Sequence, residues 1–235
     1  VSALMITAVA AGPVLAIPAG AGLAMWRPPR PWQASAVQHL AAGLLIGAVA
    51  LELLAPVSRG SPWAAVLGVG AGLGAVLLLN ALSERLRKRG QQSGGMGLAA
   101  VVTADLAIDG ILLGVAASQD LRLGWLLAIG LVLEDFFTTL SLTISLLENT
   151  GRRKITLIAG GIAAGMVLGV VLGAMLAPVL SRFGYHVVLA FGAVALLFLV
   201  LEELMREAHQ VEETPWATTT LFVGLLGFVL LHMLL

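Results

Sequence analysis

Apolar residues run along this chain in long stretches broken by short polar segments, and no strand-like alternation appears. Eight stretches reach the roughly 20 apolar residues that a helix needs to cross a bilayer. They are 3–26, 36–56, 62–83, 97–118, 123–147, 155–180, 184–206 and 216–235. The breaks carry turn chemistry: Arg27-Pro-Pro-Arg30-Pro31, Ser58-Arg-Gly-Ser-Pro62, Gly90 to Gly97, Asn149-Thr-Gly151 and Thr214-Pro215. The pattern predicts an all-α integral membrane protein with eight transmembrane helices in a single transmembrane domain, residues 1–235. Span 1 contains Gly12-Pro13 and Pro18 and is expected to kink, with neighbouring helices satisfying the freed backbone groups. The long third loop, Glu84 to Gly97, has a flexible Gln91-Gln-Ser-Gly-Gly95 centre.

Composition supports the same class. Of 235 residues, 59% are hydrophobic and 11% charged, against about one-quarter charged in a soluble domain. The formal net charge is zero, so no basic field points to nucleic acid. There is no Cys, which removes disulfides, thiolate zinc sites and thiol nucleophiles. No Lys or Arg precedes Arg27, so the first apolar run is expected to be a retained helix rather than a signal peptide.

Lys and Arg placement orients the spans. Loops 1, 3, 5 and 7 hold Arg27, Arg30, Arg85, Arg87, Lys88, Arg89, Arg152, Arg153, Lys154 and Arg206, whereas loops 2, 4 and 6 hold only Arg59, Arg122 and Arg182. The basic loops are expected in the cytoplasm, which leaves both termini outside a multi-pass protein of the plasma (inner) membrane. Trp26, Trp32, Trp63, Trp125 and Trp216 all fall at span ends, where tryptophan anchors a helix at the interface.

The chemistry lies in acids placed inside apolar spans. Glu52 is in span 2, Asp105 and Asp109 are in span 4, Glu134 and Asp135 are in span 5, and Glu202 is in span 7. Charge within a bilayer is costly and by default marks a site or pathway. No Lys or Arg sits at comparable depth, so these acids are expected to be protonated, hydrated or bound to a cation. Asp105 and Asp109 are one turn apart on one helix face and can reach one ion. Glu134, Thr138, Ser141 and Ser145 form a polar stripe on span 5, with Asp135 about 100° around the helix. The short connection Gln119 to Arg122 predicts that spans 4 and 5 are antiparallel neighbours with facing acids. A plainer reading, in which each acid merely bonds backbone or hydroxyl groups, explains one acid better than six. Glu203 and Glu207, near the end of span 7, fit a solvated helix end equally well.

All these donors are oxygens, which suit hard cations such as Mn²⁺, Mg²⁺ and Ca²⁺ and are compatible with Fe²⁺. Crowded carboxylates share protons until a cation displaces them. Transport is therefore expected to rise with pH, and a flat uptake profile from roughly pH 5 to 8 would count against it. His39, His186, His209 and His232 all fall near span ends and read as interfacial, with His39 the one kept as a candidate for a cytoplasmic exit. Gly161, Gly165, Gly169 and Gly173 form a smooth ridge on span 6. It reads either as a homodimer face or as packing within the chain. Gly110 and Gly114 read as a close-contact pair toward span 5. No P-loop, dinucleotide fingerprint, HExxH or GxSxG motif is present, so an enzyme is not expected.

Taken together, the eight spans, outside termini, long third loop and acid positions resemble the ZIP family of divalent metal transporters. The span 4 pattern of that family, His-Asn-x-x-Asp/Glu-Gly, is matched by Asp105-Leu-Ala-Ile-Asp109-Gly110, with Asp105 in place of His and Leu106 in place of Asn. Its span 5 pattern, His/Gln-Glu/Asp-x-Pro-Glu-Gly, corresponds to Glu134-Asp135-Phe-Phe-Thr138-Thr139, with Glu134 and Asp135 at metal-binding positions, Thr138 in place of Glu, and the Pro and Gly lost. Glu202-Glu203-Leu-Met-Arg-Glu207-Ala208 is similar to the end of the family's span 7, and Glu52-Leu-Leu-Ala-Pro56 to its second helix. The resemblance implies a ZIP-like helix bundle, a metal site made by Asp105, Asp109 and Glu134, and a remnant second site at Asp135 and Glu202. It further implies alternating access, often in a homodimer, with a divalent ion (Mn, Fe, Zn or Cd) as substrate and no prosthetic group. The competing readings are a proton-coupled exporter of a small organic cation or amino acid and a non-transporting scaffold or sensor.

Overall fold

The computed structural model describes residues 2–89, 96–147, 149–201, 205 and 215–234. Its helices are α1 (Ala3–Trp26), α2 (Pro31–Ala48), α3 (Pro62–Arg89), α4 (Met96–Gln119), α5 (Leu121–Leu147), α6 (Arg152–Leu176), α7 (Arg182–Leu199) and α8 (Pro215–Leu234). There is no strand among the described residues. Helix α2 continues through a π-helical turn, Val49–Leu54, into a last α-helical turn, Ala55–Ser58. Seven of the helices are long and apolar enough to cross a membrane, which is compatible with a membrane-spanning bundle. In α8 the apolar segment among residues with described side chains is Thr218–Leu234.

The helix positions agree with the hydrophobic stretches to within a few residues, apart from two extensions and the end of span 7, where α7 closes at Leu199 and the expected end at 206 lies outside the described residues. Helix α2 starts at Pro31, because proline is well suited to the first turn of a helix. Helix α3 runs on to Arg89, through a segment expected to be loop. Ser83 to Arg89 contains Glu, Leu, Lys and Arg, all good helix formers once a helix is under way. Helix α1 is unbroken from Ala3 to Trp26 with both Pro13 and Pro18 inside it.

The chain divides into two compact units. The first comprises residues 1–28 and 77–179, and the second comprises 29–76 and 180–235. Helix α3 carries the chain from the second unit back into the first.

In the first unit, α4 packs on α6 through interlocking glycines. A Cβ on Gly110 would lie 2.4 Å from the Met166 carbonyl oxygen, and one on Gly169 would lie 2.2 Å from that of Ala107. Gly114 and Gly173 make the same kind of approach, to Val170 and Ile111. The ridge of span 6 is thus used within the chain over Gly165, Gly169 and Gly173, whereas Gly160 and Gly161 face open space. Gly110 and Gly114 meet α6 rather than the expected span 5, since they project about 100° or more around α4 from Asp109. Gly20 similarly brings α1 onto α5 at Phe136 and Leu140.

In the second unit, Gly43 and Gly224 bring the backbones of α2 and α8 into contact, and Gly47 seats the fully buried Phe228. The Thr220 hydroxyl donates to the Ala36 carbonyl across the same seam (2.8 Å). Gly68 and Gly72 let α3 approach Val187 and Phe191 of α7.

All four glycine seams join parallel helices. Residue numbers rise together along α1 and α5, α4 and α6, α2 and α8, and α3 and α7. Each pair is separated by an even number of steps along the chain, as a chain that reverses direction at every connection requires. The exposed Trp26, Trp32, Trp63 and Trp125 lie at or near helix ends. Between its ends α3 exposes Leu67, Leu73, Leu77 and Leu78 as a broad apolar face.

Candidate functional site

The connection between α4 and α5 sets the geometry of the acids. Asp120 accepts from the backbone N–H of Arg122 (2.9 Å) and so caps the start of α5. Gln119 donates its side-chain amide to the Ala177 carbonyl (2.8 Å), tying the turn to the end of α6. Gly124 lies against Ala117, so the two helices start close together. From this turn, the acids are about 16 to 22 Å away along each helix at 1.5 Å per residue. Asp105 and Asp109 on α4 therefore come level with Glu134 on α5.

The structure brings these three together. One carboxylate oxygen from each of Asp105, Asp109 and Glu134 lies within 4.8 Å of the other two. Asp109 and Glu134 are buried, at 3% and 0% exposure, and Asp105 is half-buried. Asp135 is also fully buried and close enough to Asp105 for their charges to interact. Neither carboxylate oxygen of Asp135 has a hydrogen-bond partner among the described residues. The Thr138 hydroxyl, also buried, has none either. Thr139 and Thr143 extend the buried polar surface of α5, whereas Ser145, expected on the same stripe as Glu134, is exposed.

Placing several ionised carboxylates in a low-dielectric interior is costly by several kcal/mol per ion unless each is compensated. A bound cation supplies that compensation, and an oxygen cluster of this size fits around a divalent ion whose ligand distances are about 2.0–2.6 Å. No family model matches this chain, and no curated protein matches it significantly.

Glu202, Glu203, Glu207 and His209 lie outside the described residues. Glu52 belongs to the second unit, buried on the π-helical turn of α2. Its Oε1 is in contact with Nδ1 of His232 on α8, a partner 180 residues away in the chain. The expectation that the membrane acids lack basic partners therefore fails at Glu52. Sequence reasoning missed the pair because only the α2–α8 seam brings the two together. His232 follows Phe228 and Gly224 at four-residue steps, on the stripe that packs against α2. His39 and His186 are buried, and each ring binds the carbonyl four residues earlier, Ser35 and Arg182 respectively.

Proposed function

We propose that this protein transports divalent metal cations across a membrane through the carboxylate site between α4 and α5. Asp105, Asp109 and Glu134 are the main ligands, and Asp135 adds negative charge beside them. The single observation that carries this reading is the convergence of three carboxylates from two apolar helices in a largely buried position. Such a cluster is expensive in an apolar setting and has an evident use as a cation-binding point on a path. Ion sites built inside a bundle of membrane helices are a recurring feature of transporters.

The parallel α2–α8 seam supports a bundle of eight crossings, because α8 must then run in the same direction as α2. Lys and Arg placement favours cytoplasmic odd-numbered loops and outside termini, in the plasma (inner) membrane. The motif pattern favours a divergent relationship to the ZIP transporters, with an all-oxygen site in place of one containing His.

The test is metal uptake into proteoliposomes, scanning Mn²⁺, Fe²⁺, Zn²⁺, Cd²⁺, Co²⁺ and Mg²⁺, with Asp109→Ala beside the wild type. Uptake of at least one ion that vanishes in the variant supports the reading and identifies the cargo. Absence of flux for every ion, with both proteins folded, overturns it in favour of a scaffold or an exporter of other cations.

A further inference from the structure

Threonine hydroxyls inside helices ordinarily bond the carbonyl one turn back. Thr7, Thr103, Thr139 and Thr156 all do so here, donating to Ala3, Ala99, Asp135 and Arg152 at 2.7–3.1 Å. Thr138 does not. Its side chain is 5% exposed, yet its hydroxyl oxygen finds no hydrogen-bond partner among the described residues. A buried hydroxyl without a partner is costly, and none of the described residues supplies one.

The position of Thr138 indicates which ligand. It lies four residues after Glu134 and three after Asp135, so it sits one turn along α5 on the face that carries both. Glu134 shares the 4.8 Å cluster with Asp105 and Asp109. A hydroxyl turned away from its helix carbonyl on this face is free to present its oxygen lone pairs to an ion held there. Neutral hydroxyl and charged carboxylate oxygens together form a hard donor set.

We propose that the Thr138 hydroxyl is a direct ligand of the cation held by Asp105, Asp109 and Glu134, completing an all-oxygen site for a hard divalent ion such as Mn²⁺. The proposal rests on the cation-site reading above, and its test separates the two. Metal binding is measured on the detergent-solubilised protein by calorimetry and by the metal-dependent rise in thermal midpoint, using Mn²⁺ and Cd²⁺ as probes.

Thr138→Val keeps the shape and removes the oxygen. It is expected to weaken Mn²⁺ binding about tenfold or more, while Thr138→Ser stays close to wild type. Should the valine variant not fold, Thr138→Ala carries the same comparison. Thr138→Cys replaces a hard donor with a soft one. It is expected to shift preference from Mn²⁺ toward Cd²⁺ and to create a sulfur-to-cadmium charge-transfer absorption. Because the native chain has no Cys, that absorption can come only from position 138.

Wild-type metal binding that persists unchanged in Thr138→Val or Thr138→Ala, with no cadmium–thiolate absorption in Thr138→Cys, overturns the ligand assignment and leaves the cation site standing. Failure of the wild type to bind any metal overturns both.

Discussion

Two buried acids, one in each unit, show how differently a carboxylate can be accommodated in an apolar helix. Glu52 sits on a π-helical turn and touches the imidazole of His232. Asp135 sits in a regular α-helix, is fully buried, and has no hydrogen-bond partner for either oxygen among the described residues. It lies beside another acid, Asp105. The first arrangement is compensated within the protein. Among the described residues the second has no such compensation, which is the arrangement expected of an acid that serves a cation site rather than one that only holds a fold.

The largest expected effect comes from the three-acid cluster. Asp109→Ala or Glu134→Gln should reduce metal uptake by two orders of magnitude or more, whereas Glu52→Gln should reduce it far less. Equal loss in all three variants, measured as initial uptake into proteoliposomes, would break the comparison and make Glu52 part of the transport path.

A second, smaller effect concerns packing. Gly169→Ala places a Cβ against the Ala107 carbonyl and should destabilise the first unit by about 1–3 kcal/mol. Gly161→Ala, on the same ridge but facing open space, should leave stability unchanged or raise it by up to about 1 kcal/mol. Thermal unfolding in detergent distinguishes the two, and equal behaviour would return the ridge to the dimer-face reading.

Next in size is the Glu52–His232 pair. His232→Ala strands a buried carboxylate and should cost about 1–3 kcal/mol, with part of the loss recovered in the double variant with Glu52→Gln. A double-mutant cycle with no coupling would show that the contact contributes nothing.

The smallest effect sharpens the contrast from the other side. Asp135→Asn removes an uncompensated buried acid, so it should raise the stability of the metal-free protein by about 1 kcal/mol while weakening metal binding. Lower stability without metal would mean that Asp135 is held by the fold after all.

Much of the candidate site was legible in the sequence. The Asp105–Asp109 spacing fixes one helix face, and the short turn at Asp120 forces α4 and α5 to run side by side, so the convergence with Glu134 followed from local rules. Thr138 could be placed on the Glu134 stripe, but that its hydroxyl forgoes the helix carbonyl could not be read, because a threonine has two acceptable rotamers in a helix. His232 was read as interfacial because nothing local to it mentions Glu52. The glycines of α4 could be recognised as contact points, but their partner was assigned to the wrong helix. A smooth face invites any neighbour, and the choice depends on which other helix offers a matching gap.

By itself the sequence determined the helices, their approximate ends, their apolar character and the face on which each acid lies. Those properties follow from residue runs and the 3.6-residue repeat, both of which are local. The tertiary structure alone decided that α4 seats on α6, that α2 pairs with α8 and thereby gives Glu52 a basic partner, and that the chain gathers into two units interleaved in sequence. Apolar helices of similar composition are nearly interchangeable as partners. Only the close fit of one particular backbone against another, at glycines such as Gly43 and Gly224 or Gly110 and Gly169, selects among them.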